Sequence, residues 1–160
     1  MWIGSGGNGL WIAWTDMAFM KIPNRAVLAL IAVFVVTGLI ALPFEDYLWR
    51  YAHFAVVLVI GFVLSSAGAM GAGDAKYAAA MAPFIALQDL MLFALLLAGV
   101  TIAAFLLHRG ARRSASIRER FPDWESWTRR EFPMGFALAP ALFFYLLIGL
   151  VSGLGQGSPT

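Results

Sequence analysis

Residues 26–42, AVLALIAVFVVTGLIAL, run directly into Pro43-Phe44-Glu45-Asp46 and then into a second apolar stretch, YLWRYAHFAVVLVIGFVLSS, over 47–66. Each stretch has the length that crosses roughly 30 Å of hydrocarbon as a helix. Pro43 closes the first, because proline disfavours helical geometry in the residue before it. Phe44-Glu45-Asp46 reads as a short polar turn, so the two stretches are expected to form a tight helical hairpin within a bilayer.

Four more segments extend the pattern on either side. Trp2 to Met20 is apolar but diluted by Gly4, Gly6, Gly7, Asn8 and Gly9. Ala75 to Leu107 is too long for one span and is interrupted by Gln88-Asp89, so it reads as two helices, the first short and bearing Pro83. Met134 to Ser152 is the last span. The fold expected is an all-α polytopic membrane helix bundle of about six transmembrane helices. It forms one membrane-embedded domain over residues 1–153, followed by a Gly/Ser-rich, disordered tail over 154–160.

Composition agrees with a bilayer rather than water as the solvent. Charged residues make up 12% of the chain, about half the soluble norm of roughly 25%, and 61% is hydrophobic, with a mean hydropathy of +0.80. The chain has no cysteine, which excludes disulfides and cysteine-ligated zinc, and His53 and His108 fall in different segments. No metal or other cofactor is therefore expected. Met1 to Gly9 carries no basic run, so a cleaved signal peptide is not indicated and the first span is expected to stay in the mature protein.

Orientation follows from where the cations fall. Lys21, Arg25, Lys76, Arg109, Arg112, Arg113, Arg118, Arg120, Arg129 and Arg130 lie on one side of the spans, and Arg50 alone lies on the other. The positive-inside rule makes the first side cytoplasmic and places both chain ends outside. The expected setting is the inner (plasma) membrane, crossed several times.

Against this background Gly71-Ala72-Gly73-Asp74-Ala75-Lys76 is informative, because an aspartate at the centre of a span costs roughly 2.5 to 3.5 kcal/mol by insertion scales and calls for a function. A second aspartate, Asp16, lies near the end of the first span. The topology puts both at the cytoplasmic face. Two carboxylates close together in a low dielectric cannot both ionise cheaply, so they share a proton and supply an acid and a base. That is the equipment of an aspartic protease. Gly71 and Gly73 are expected to give backbone freedom and close substrate approach, and the dipole of the helix opening at Asp74 is expected to favour its charge.

Plainer roles exist for each residue. Asp74 could be a helix cap or pair with Lys76, and Lys21 could neutralise Asp16. Pro23 stops the first helix and Asn24 is expected to cap the second, which would position Asp16. The glycines before Lys76 do not make a phosphate loop, which needs Ser or Thr after the lysine. Another functional class stays open on these residues: a small proton- or cation-coupled transporter subunit using the same acids.

Three segments together resemble the type IV prepilin peptidases, in particular the short form associated with tight-adherence pili. They are Thr15-Asp16-Met17-Ala18-Phe19-Met20-Lys21-Ile22-Pro23-Asn24, Gly71 to Lys76, and Phe132-Pro133-Met134-Gly135-Phe136-Ala137. The first looks like the family's first-aspartate segment, the second like its Gly-x-Gly-Asp segment, and the third like the Pro-x-Gly segment opening the last helix. The resemblance implies catalysis by Asp16 and Asp74. Gly71, Gly73, Lys76, Pro23 and Asn24 would shape the site. It also implies a pilin-like precursor as substrate, cut after a glycine between a basic cytoplasmic leader and an apolar helix. The longer relatives carry a methyltransferase domain, often with paired Cys-x-x-Cys motifs, and without cysteine, N-methylation is not expected of this chain; a non-catalytic pilus assembly subunit stays open beside the peptidase.

His108 to Glu131 holds seven arginines interleaved with Phe121, Trp124 and Trp127. This suits an amphipathic element on anionic lipid and a topology anchor, with no nucleic acid as partner. Glu119, Asp123, Glu125 and Glu131 could form an acidic strip for a basic leader. His53 reads as structural, and the oligomeric state is not encoded in any feature of the sequence.

Overall fold

A computed structural model describes residues 12, 15–127 and 132–152, and among these there are helices, 3-10 turns and connections but no strand. Most of the expected first span and the expected disordered tail lie outside the described residues. The bundle is all-α. In chain order it comprises α1 (the helical end at 15–19), α2 (Asn24–Ala41), α3 (Phe44–Ser66), α4 (Ala72–Met81), α5 (Leu90–Arg113), the short α6 (Ala115–Arg120) and α7 (Gly135–Ser152).

Four of these, α2, α3, α5 with the turn before it, and α7, are long and apolar enough to cross a membrane. The fourth segment marked in the sequence is different: α4 has 10 residues, about 15 Å of helix, half the hydrocarbon thickness. It continues as a 3-10 turn at Ala82–Phe84 carrying Pro83, an extended Ile85-Ala86, and a second 3-10 turn at Leu87–Asp89 that leads into α5. The break expected at Gln88-Asp89 is present and begins earlier, at the proline.

The expected hairpin is modified in two ways. Phe44-Glu45-Asp46 is no turn but the first turn of α3, where Glu45 and Asp46 face the positive end of the helix dipole, so the connection shrinks to Leu42-Pro43. The α2 and α3 helices touch each other little, mainly where Phe34 stacks on Tyr47 at 5.7 Å. The small-residue helix α4 packs against both instead, most extensively against α3, and α7 closes the group by packing on α5 and α4.

The buried stripe of α2, Ala26, Val27, Leu30, Phe34 and Gly38, recurs at helical spacing and meets Tyr77, Ala80, Met81 and Phe84 of the α4 limb and Leu138 and Leu142 of α7. By contrast α3 buries only Tyr47 and Gly61, leaving Val59, Phe62 and Val63 more than half exposed. That surface suits lipid.

Two turns set the chain's path on the side bearing the aspartates. After α3, Gly68 takes φ +74° while the N–H groups of Gly68 and Ala69 donate to the carbonyls of Ser65 and Leu64, a Schellman closure that needs glycine's left-handed backbone. After α1, Met20 adopts φ +50° and its N–H donates to the Asp16 carbonyl, which ends the helix and turns the chain into Lys21-Ile22-Pro23.

Candidate active site

Asp16 lies in α1 and is 4% exposed. Its Oδ2 accepts the Gly135 N–H at 2.6 Å, and the Phe136 N–H makes a second backbone contact to the same carboxylate. Both amides belong to the first turn of α7; the Phe136 N–H also donates to the Pro133 carbonyl at 3.2 Å, and the Gly135 N–H, with no acceptor inside the helix, is satisfied by the buried carboxylate. Space is tight here. A Cβ at position 135 would fall 2.9 Å from Asp16 Oδ2 and 3.1 Å from its Cβ and Cγ, so glycine is required for this approach.

Asp74 lies outside the four long helices, as the third residue of α4, with Gly71 at the N-cap. Its carboxylate folds back to the Gly71 N–H, the side-chain half of a capping box. Burial, and next the nearby charge of Asp16, push the Asp74 carboxyl up to about 6 against the lowering effect of that N–H. The dipole expected to keep Asp74 charged is thus outweighed. The same coupling places the two aspartates within electrostatic reach of each other across α1 and α4.

The motif glycines work by proximity rather than by conformational freedom, contrary to the sequence expectation. Gly71 is extended (φ −64°, ψ 141°) and Gly73 is helical, so neither needs a left-handed backbone. A Cβ on Gly71 would sit 2.6 Å from Asp74 Oδ2, and one on Gly73 would sit 3.4 Å from Ile22 Cβ. Gly71 makes room for the carboxylate. Gly73 lets the start of α4 lie against the Ile22-Pro23-Asn24 turn that follows Asp16.

That turn also differs from expectation. Pro23, extended at φ −69°, occupies the N-cap of α2 and Asn24 is the first helical residue, with no side-chain cap bond. Asn24 Oδ1 instead accepts from Lys76 Nζ at 3.4 Å, a cross-link between α2 and α4. Lys76 is therefore directed at the turn rather than at Asp74. Asp16, Pro23, Asn24, Gly71, Gly73, Asp74 and Lys76 are gathered in one region, several by contacts other than those expected.

Sequence reading missed a second polar cluster. Tyr145 of α7 donates its hydroxyl to Asp89 Oδ2 at 2.7 Å and accepts the Ala86 N–H at 3.2 Å, while Arg50 Nη1 donates to the Pro83 carbonyl at 3.4 Å. These groups satisfy the backbone released where the α4 limb breaks, as non-helical backbone at membrane depth requires. His53, within reach of the Ile85 backbone, belongs to this cluster and not to the aspartate pair. In the basic loop α6 is exposed, while buried His108 stacks on Trp127 at 5.6 Å and Trp127 on Trp124 at 5.4 Å.

The family model described as the type IV leader peptidase family matches residues 8–107. The chain belongs to the type IV leader peptidase family. The match takes in both aspartates, the Ile22-Pro23-Asn24 turn and the Gly71–Lys76 segment, and ends before the basic loop and α7. No curated protein and no solved structure matches the chain significantly. Its four long apolar helices make this leader peptidase a membrane protein. Among the described residues, no group of three or more His, Cys, Asp or Glu side chains is placed to hold a metal ion.

Proposed function

We propose that the chain is an aspartic endopeptidase that removes the basic cytoplasmic leader of pilin-like precursors, with Asp16 and Asp74 as its catalytic pair. One observation carries this reading: the start of α4, which bears Asp74, lies against the Ile22-Pro23-Asn24 turn that follows Asp16, near enough for the charge of Asp16 to add to burial in raising the Asp74 carboxyl, as suits a proton-sharing pair. The chemistry is then balanced without a covalent intermediate. The ionised carboxylate takes a proton from water as the water oxygen bonds to the scissile carbonyl carbon, and the carbonyl oxygen takes the proton of the other carboxyl. The tetrahedral adduct collapses with loss of the C–N bond, the nitrogen receives the first proton, and a hydroxyl proton of the adduct returns to the second carboxylate.

The one-sided distribution of Lys and Arg supports a site at the cytoplasmic face of the inner membrane. A substrate whose apolar helix lies in lipid and whose leader lies in water would present its junction at that boundary. The basic segment from Arg109 to Arg120 suits contact with anionic lipid headgroups there. Mass spectrometry of a pilin precursor co-expressed with the wild type, Asp16→Asn or Asp74→Asn tests the reading. Leader loss with the wild type alone, at equal membrane abundance, supports it. Cleavage surviving either substitution removes the pair from the mechanism.

A further inference from the structure

The family match ends at residue 107, yet the partner that holds Asp16 lies at residue 135. We infer that Gly135 is a positioning residue of the peptidase: the first turn of α7 fixes Asp16 as the carboxylate that keeps the negative charge and activates water, leaving Asp74 to carry the shared proton to the carbonyl oxygen. The inference rests on the peptidase reading above and adds a division of labour within the pair.

The surroundings of the two carboxylates are unequal. Asp16 receives two N–H groups from a neighbouring helix at the positive end of its dipole, and charge-assisted bonds of this kind favour the ionised form against the larger opposing effect of its burial. Asp74 receives one, from Gly71. The charged groups on the surrounding segments are Asp74 and Lys76 on α4 and Lys21 and Arg25 beside the turn after α1. Lys76 is directed to Asn24, and α7 offers only Tyr145, about 15 Å along the helix from Gly135. Burial and the nearby charge of Asp16 both raise the Asp74 carboxyl, which suits Asp74 as the carrier of the shared proton.

Glycine at 135 is what permits this arrangement. A methyl group there would fall 2.9 Å from Asp16 Oδ2, and the carboxylate would have to turn away from both amides. Position 136, in the first helical turn, tolerates proline, which deletes the N–H that Phe136 shares between Asp16 and the Pro133 carbonyl without adding an atom at 135.

The test is the pH dependence of cleavage of a purified pilin precursor by the full chain in detergent micelles, for the wild type, Gly135→Ala, Phe136→Pro and Phe136→Ala. Loss of the amide donors makes Asp16 harder to ionise. The expected result is an acid limb displaced to higher pH by about one unit in Gly135→Ala and Phe136→Pro, with the alkaline limb in place. Phe136→Ala retains the N–H and keeps both limbs at their wild-type positions, whatever its rate. A displaced alkaline limb would reverse the roles of the two aspartates, and a uniform fall at every pH would leave Gly135 a purely structural glycine; either outcome overturns the inference. Absence of cleavage by the wild type would instead count against the peptidase reading itself.

Discussion

Gly61 of α3 lies so close to Ala75 of α4 that a Cβ at position 61 would come within 2.9 Å of the Ala75 Cβ and 3.2 Å of its Cα. The residue it touches is the immediate neighbour of Asp74. The contact therefore sets both the spacing of the two helices and the height of the carboxylate. Replacing Gly61 with leucine should separate them, with a loss of about 1 to 3 kcal/mol from overpacking and a larger proportional loss of cleavage. Thermal unfolding in detergent alongside precursor processing would measure both, and unchanged values for both would show that the helices slide apart at no cost.

Gly71→Ala should act on chemistry more than on stability. Its Cβ would displace the Asp74 carboxylate from a distance of 2.6 Å, and a misplacement on the scale of 1 Å costs about a hundredfold in rate. Gly99→Ala is the matching control, because a Cβ there meets nothing within 4 Å and alanine is the better helix former. Comparing kcat/KM for the two variants tests whether the motif glycine is a spatial requirement.

The coupling of the pair has a pH signature. The Asp74 carboxyl is raised from its ordinary 3.8 to about 6. Between these values the folded protein holds a proton that the unfolded chain releases. The contribution of this group to stability is present below 3.8, falls as pH rises through the window, and is gone above about 6. Cleavage that needs protonated Asp74 should decline over the same upper limb. Asp16→Asn removes the second of the two causes of the rise, so the Asp74 carboxyl band in infrared titration should move to lower pH. A midpoint that stays put would mean the two groups do not interact.

Tyr145→Phe should loosen the far end of the α4 limb. The hydroxyl serves Asp89 and the Ala86 N–H together, and removing it strands a buried carboxylate and a backbone donor at a cost of about 1 to 3 kcal/mol. Thermal unfolding checks this, and a full wild-type midpoint would show that other groups take over the Asp89 oxygen.

Much of this architecture was readable from the chain. Runs such as 26–42 declare their helices, Pro83 and Asp89 announce the broken limb, and Asp16 and Asp74 stand out because charge is costly in apolar surroundings. Asn24 misled because Pro23 takes the capping position, leaving the amide free to meet Lys76 52 residues away. Gly71 and Gly73 suggested backbone freedom, whereas their purpose depends on what a missing methyl would strike, a property of folded neighbours. The Tyr145–Asp89 pair, 56 residues apart, has no local signature at all. Gly135 was visible as part of a motif but silent about its target.

Asp16 and the amide that grips it stand 119 residues apart. During synthesis both aspartates leave the ribosome long before α7 does, so the nascent chain holds the two acids while the clasp on one of them is still unmade. The surroundings of Asp16 are therefore completed only when α7 has been inserted beside α1, so its setting is a product of the whole bundle and not of the segment that carries it.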